Sequence, residues 1–227
     1  MEETMTRVQR VHLERDITNI KKDIILLCSE VLKRLNMAVD AFIEDDPEKA
    51  NRVIDQDIEI DENEVKIEEN ILKTLALHQP VASDLRFLIA VLKINNDIER
   101  IGDLAVNISK KALKYNRSGI TSKDNSQLRE VTKIVVDMAR DSLESLIEED
   151  VEKAKNIIIQ DDLVDKQMDD LFKETRERIK QEPQHADGLL SKVSVYRFLE
   201  RIGDHATNIA EDIIYYKEGK IIRHGNF

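Results

Sequence analysis

Two acidic motifs at helical spacing occur twice each along the chain. Asp57 and Asp61 form a D-x-x-x-D that returns as Asp161 and Asp165, and Glu99, Asp103 and Asn107 form an E-x-x-x-D-x-x-x-N that returns as Glu200, Asp204 and Asn208. Residues four apart stack on one face of a helix, so each motif holds two carboxylates within a few ångströms, which is unfavourable unless a cation or proton neutralises them. Oxygen donors from Asp, Glu and Asn suit hard cations such as Mg²⁺, Ca²⁺, Mn²⁺ or oxidised iron, and do not suit a structural zinc site. Arg100 and Arg201 follow the glutamate of each third-helix motif, where an ion pair with a neighbouring acid is the expected role. Gly102 and Gly203 interrupt the same helices, each at a cost of about 1 kcal/mol relative to Ala, so close approach of a second helix is expected there.

Catalytic arrangements are not found among these residues. The one E-x-x-H, Glu182 to His185, contains Pro183 and cannot supply the inward-facing helical pair of a ferritin-like di-iron site. No glycine-rich phosphate loop, H-E-x-x-H or nucleophile elbow occurs, so no residue is assigned a catalytic or organic-cofactor role. An enzyme is not expected.

Helices must position the acids. From Leu13 the apolar residues Ile17, Ile20, Ile24, Leu27, Val31, Leu35, Ala38 and Phe42 form one stripe at 3.6 periodicity, which predicts a first helix to about Glu44. Pro47 suits a first helical turn, and a second helix is predicted from Pro47 to Leu77. A third is predicted from Ala82 to Tyr115, after the break at Pro80. Beyond the linker RSGITSKD the programme repeats, with helices predicted over about Asp124–Glu149, Val151–Gln181 and Ala186–Lys217. On the middle helices the acids fall inside the expected apolar stripes, Ala50, Ile54, Asp57, Asp61, Val65, Glu68, Leu72 and Leu75 in one half and Ala154, Ile158, Asp161, Asp165, Met168 and Phe172 in the other. On the third helices Glu99, Asp103 and Asn107 lie opposite the Ile98/Ile101/Ala105/Ile108 stripe, on the side that also carries Leu85, Leu88 and Leu92 further up the helix, so partial cover of that face is expected.

The repeat extends to residue identity: ERIGDLAVNI at 99–108 matches ERIGDHATNI at 200–209 in eight of ten positions, and EDDPEKANRVIDQDIEID at 44–61 aligns with EEDVEKAKNIIIQDDLVD at 148–165. The stretch between the two acidic motifs is three residues shorter in the second half. An all-α fold follows, six long helices in two tandem, pseudo-symmetric three-helix bundles, divided at 1–117 and 118–227. Helices of roughly 30 residues would be about 45 Å long.

With 46 acidic against 35 basic residues the formal net charge is −11, which disfavours nucleic acid and anionic bilayers and favours multivalent cations. The single cysteine, Cys28, excludes an intrachain disulfide, and a reducing cytoplasm fits. No export signal or membrane-spanning run is seen.

The segments QPVASDLRFLIAVLKINNDIERIGDLAVNI, RFLERIGDHATNI and IIYYKEGKIIRHGN resemble the PhoU family of phosphate-transport accessory and regulatory proteins, and the resemblance runs over essentially the whole chain. It implies paired three-helix bundles, a cytoplasmic protein, often a homodimer, recruited to the inner face of the membrane by its partners. Those partners would be the Pst phosphate transporter, through its ATPase PstB, and the sensor histidine kinase PhoR, both restrained when phosphate is plentiful. It further implies a multinuclear metal cluster, iron first, with manganese, magnesium or calcium as alternatives. The ligand role falls on Glu99, Asp103, Glu200 and Asp204, then on Asp57, Asp61, Asp161 and Asp165, with Asn107 and Asn208 as further donors. Leu104 facing His205 in the alignment marks a departure between the halves. Two alternatives stay open at this point: a carboxylate-bound iron protein with storage or oxidase activity, and a metal-free scaffold whose acids form salt bridges.

Overall fold

The structure, a computed structural model, describes residues 7–115 and 126–221. Its α-helices are α1 (Arg7–Glu44), α2 (Pro47–Asp55), α3 (Asp57–His78), α4 (Ala82–Tyr115), α5 (Ser126–Glu148), α6 (Val151–Gln181) and α7 (Ala186–Glu218), with a short 3₁₀ turn at Pro183–His185. The expected boundary between 117 and 118, the linker, and the fourth helix's start near Asp124 lie outside the described residues. No described helix is long and apolar enough to cross a membrane.

The stripes expected on the first and third helices are buried as read: Ile20, Ile24, Leu27, Val31, Leu35, Ala38 and Phe42 on α1, and Ile94, Ile98, Ile101, Ala105, Ile108 and Ala112 on α4. The middle-helix stripes require correction. Ile60, Ile67, Ile71 and Thr74 are buried on α3, and Ile157, Val164, Met168 and Leu171 on α6, whereas Val65 and Leu72 are about half exposed. Two stripes compete for the core on these helices, and the isoleucine-rich one buries more apolar surface without taking carboxylates from water. The acids therefore sit at the edge of the buried face, with Asp57 and Asp161 half-buried and Asp61 and Asp165 exposed.

The same turn opens the middle helix of both halves. Asp45 and Glu149 take left-handed backbone conformations, with φ of 61° and 55°. The next residues, Asp46 and Asp150, cap α2 and α6 by accepting from the second and third backbone N–H groups of each helix, which satisfies otherwise unpaired donors. Aligned on these caps, the halves diverge about three turns earlier in the preceding helix. Arg34 of α1 is only 1% exposed; its guanidinium donates to the Gln56 carbonyl and pairs with Glu59 at 2.8 Å and Glu30 at 3.4 Å. The carbonyl held by Arg34 belongs to the residue at which the expected Pro47–Leu77 helix breaks into α2 and α3. Its counterpart on α5 is Met138, fully buried, and there α6 runs unbroken. An uncharged side chain makes no demand on a backbone carbonyl, so the second helix keeps its ladder.

The most extensive helix–helix interface is between α4 and α7, the third helices of the two halves. His205 Nδ1 lies 2.8 Å from Asp97 Oδ1, Lys93 pairs with Asp212 at 2.7 Å, and the Phe87 and Tyr216 rings meet edge to face. Glu149 gathers Lys21 at 3.2 Å, Lys217 at 2.6 Å and the Tyr216 hydroxyl at 3.2 Å. It thereby ties α1 to the end of α7.

Candidate functional site

Each half brings the acidic row of its middle helix against the acidic row of its third helix. In the first half Asp57 and Asp61 of α3 face Glu99 and Asp103 of α4, close enough that Asp103 acts on Asp57 and Asp61 acts on Glu99. In the second half Asp161 and Asp165 of α6 face Glu200 and Asp204 of α7, and their charges interact across the helix pair. The sequence motifs thus converge two by two.

Burial and mutual repulsion raise five of these carboxyls above their ordinary titration range. Glu99 is pushed up to about 7, by desolvation first and the Asp103 charge next, with Arg100 opposing. Asp161 is pushed up to about 7, by desolvation and then by Asp165, Asp204, Asp162 and Glu200. Asp57, Asp165 and Glu200 are raised for the same reasons, desolvation leading in each. One oxygen of Asp57 and one of Asp161, at equivalent positions, are buried without a hydrogen-bond partner. An orphaned buried carboxylate oxygen is costly unless a proton or a cation meets it.

The glycines explain how the second row comes so close. A Cβ placed on Gly203 would lie 3.0 Å from Asp161 Oδ1, whereas one placed on Gly102 would lie 3.2 Å from the Ile60 side chain. Close helix approach is the role of both, but only in the second half is the group approached an acid.

Basic residues separate the two faces further. Arg100 pairs with Glu99 at 3.3 Å and with Asp103 at 3.1 Å, as expected from the sequence, and Lys110 and Arg34 also draw Asp57 down. Arg201, expected to do the same in the second half, is exposed and forms no ion pair among the described residues. Arg197 acts on Glu200 from the rim. Asn107 is half-buried beside Asp103, while Asn208 is exposed and its side-chain amide donates to Asp97 at 3.4 Å, turned toward the other half. Glu64, one turn beyond Asp61, belongs to the first face and was missed: its carboxyl is raised by burial and by Glu68 and Asp61. It also accepts from the buried Asn95 amide. Asp169 plays the matching part toward Glu200 and Asp165. Continuing the three- and four-residue spacing one turn further along the sequence would have found both.

The donor chemistry fits a hard, oxygen-seeking cation, and the two orphaned oxygens mark where neutralisation is lacking. Among the described residues no three acidic, histidine or cysteine side chains already form a closed ligand cage; the faces are opposed rows. Cys28, buried, has its thiol pushed far up by desolvation and takes no part.

Duplicated three-helix bundles that oppose acidic rows in each half define an all-α tandem-repeat protein of the kind built around paired carboxylate faces. The PhoU domain family model matches residues 24–112 and again 128–213. The phosphate-specific transport system accessory protein PhoU homolog 1 of Thermotoga maritima is 33% identical over 213 residues, 94% of this chain and 92% of that protein. The PhoU homolog of Aquifex aeolicus is 34% identical over 212 residues, 93% of this chain and 96% of that one. A crystal structure of PhoU from Pseudomonas aeruginosa superposes with a TM-score of 0.88 at 30% identity, covering 91% of this chain and 99% of that chain. The chain belongs to the PhoU family.

Proposed function

We propose that this protein is a metal-binding regulatory adaptor of phosphate homeostasis, without a catalytic step of its own. On this reading it works in the cytoplasm as a homodimer and restrains phosphate uptake and phosphate-starvation signalling through PstB of the Pst transporter and the sensor kinase PhoR. Family membership supports the place in the phosphate system, since relatives across most of its length carry the name of transport accessory proteins. The observation that carries the metal part is the pair of buried, partnerless oxygens on Asp57 and Asp161, repeated at equivalent positions of the duplicated fold.

A hard cation, iron first among the candidates, would be held by Asp57, Asp61, Glu99 and Asp103 on one face and by Asp161, Asp165, Glu200 and Asp204 on the other, with Asn107 beside the first. Asn208, engaged with Asp97, is the weakest donor of the set. Such a cation supplies positive charge at neutral pH, where the crowded carboxylates otherwise share protons or repel. The helices supply rigidity: α3 against α4 and α6 against α7 present their rows at a fixed separation, so loading alters surface charge without remodelling the bundles.

The test has two arms. Elemental analysis of protein purified without affinity metal should find bound metal that is lost in an Asp103→Ala/Asp204→Ala double variant. In cells, deletion of the gene should raise a phosphate-starvation reporter in high phosphate, and the double variant should fail to restore repression. Metal-free parent protein would remove the cation from the mechanism, and an unchanged reporter after deletion would remove the regulatory role.

A further inference from the structure

The groove between α1 and α5 contains two cavities that the duplication relates to one another. One, of about 300 Å³, is lined on α1 by Ile25, Cys28 and Ser29. The other, of about 340 Å³, is lined on α5 by Arg129, Thr132 and Lys133. Aligning the halves on the capping residues Asp46 and Asp150 places Ile25 on Arg129, Cys28 on Thr132 and Ser29 on Lys133. The facing walls correspond as well, Arg140 and Glu144 in the first cavity matching Asn36 and Asp40 in the second. The first cavity shows what packing of the two helices requires at this place, a wall without charge in which the buried Cys28 thiol lies between Ile25 and Ser29 at the exposed edge. The second copy has replaced that wall with two cations and a hydroxyl, which packing does not call for.

Three observations point to what the second cavity holds. Arg129 and Lys133, one helical turn apart and so on one face, form no ion pair among the described residues, although the chain carries an excess of acid. Thr132 between them is 7% exposed, and its hydroxyl has no hydrogen-bond partner. A buried hydroxyl left unpaired is costly, and Thr132 stands on the cavity lining, where a turn about its Cα–Cβ bond exchanges methyl for hydroxyl. The two acids of the cavity are already engaged: Asp137 pairs with Arg140 at 2.7 Å, and Asp40 lies within reach of the Lys49 charge. The cations Arg129, Lys133 and Arg140 against Asp40 and Asp137 leave one net positive charge, on a chain whose formal net charge is −11.

We propose that the cavity between α1 and α5 is a binding site for a phosphate-class oxyanion, free or as the terminal phosphoryl group of a larger molecule. The guanidinium of Arg129 and the ammonium of Lys133 supply charge-assisted hydrogen bonds, and the Thr132 hydroxyl donates to a third oxygen. A tetrahedral oxyanion lets each of the three donors meet a separate oxygen in three dimensions, which the two coplanar oxygens of a carboxylate do not. The site is separate from the acidic faces and works without metal.

Isothermal titration of chelator-treated protein with inorganic phosphate and, separately, with ADP and ATP tests it. Saturable binding that weakens with added salt is expected. Saturation by phosphate alone assigns the free anion, and saturation only by a nucleotide assigns the phosphoryl group of a larger molecule. Arg129→Ala/Lys133→Ala, at exposed positions, should weaken binding by about tenfold or more, and Thr132→Val by a few-fold. Ile25→Ala/Ser29→Ala in the related cavity should leave it unchanged. The proposal is overturned by the absence of binding with all three ligands, or by binding that the Arg129/Lys133 variant retains in full. Because the protein is stripped of metal, neither result bears on the carboxylate faces.

Discussion

The two halves share a capping turn, a central third helix and an opposed pair of acidic rows, and they part at one buried position. Arg34 of α1 is a guanidinium clamped between Glu30, Glu59 and the Gln56 carbonyl; Met138, in its place on α5, is an apolar plug. The first middle helix breaks at Gln56 and the second does not. Electrostatics follow the same division. Arg34, Lys110 and Arg100 stand over the first acidic face, while the five leading influences on Asp161 are burial and four other acids. Duplication made two faces of similar donors, and protein cations have filled the first further than the second, where Arg197 acts on Glu200 from the rim.

Exchanging the residues at this position gives the largest expected effects. Met138→Arg would bury a charge where the aligned neighbours are Ile134 and Leu163 instead of Glu30 and Glu59, and should lower stability by about 4 kcal/mol or more in thermal or denaturant unfolding. Arg34→Ala leaves a cavity and a Gln56 carbonyl held only by the long bond from the Glu59 amide at 3.3 Å, at about 3 kcal/mol; Arg34→Met refills the space and should lose about half as much. Amide exchange at residues 55–59 should slow in Arg34→Met if the helix closes across Gln56, and equal or faster exchange would show that the break has another cause.

Little of this division was legible in the sequence. Helix number, the stripes of α1 and α4 and the repeat itself were plain, because heptad-like spacing and eight matching residues in ten leave little else to fit. The stripe of the middle helices was read along Asp61, Val65 and Leu72 because two apolar rows run side by side there, and only packing against α1 and α4 chooses between them. Arg34 carries no local sign of burial, since its partners lie at the break between α2 and α3, on α3 and one turn back on α1. Arg201 matches Arg100 in the motif, yet pairing depends on where the neighbouring acids turn. The halves of the site could be found by spacing, but not which helix faces which, nor Glu64 and Asp169.

A smaller effect concerns pH. Asp161 titrates near 7 in the folded protein, above its unfolded value, so the folded state holds the extra proton. That contribution to stability is complete below the unfolded pKa and is lost as pH rises through about 7. Metal-free protein should therefore melt a few degrees lower at pH 8 than at pH 5, and Asp161→Asn should reduce the difference. A difference that persists unaltered in the variant would place its origin elsewhere, with Glu99 the next carboxyl to examine.

The smallest effects are expected at the glycines. Ala at Gly203 meets a carboxylate that is able to rotate away, and Ala at Gly102 meets the packed Ile60 side chain. Gly203→Ala should keep its melting temperature, with improved helix propensity offsetting the contact, but bind less metal. Gly102→Ala should melt a few degrees lower with its metal content intact. The reverse pattern would dissociate the close approach from the acidic face.

The most direct measurement is the metal content of Asp57→Asn and Asp161→Asn single variants, by elemental analysis beside the parent protein after purification without affinity metal. The account predicts that Asp161→Asn loses the larger share, because the second face has fewer protein cations standing in for the bound one. Equal losses, or a greater loss in Asp57→Asn, would contradict the claim that Arg34, Arg100 and Lys110 already serve that purpose in the first half.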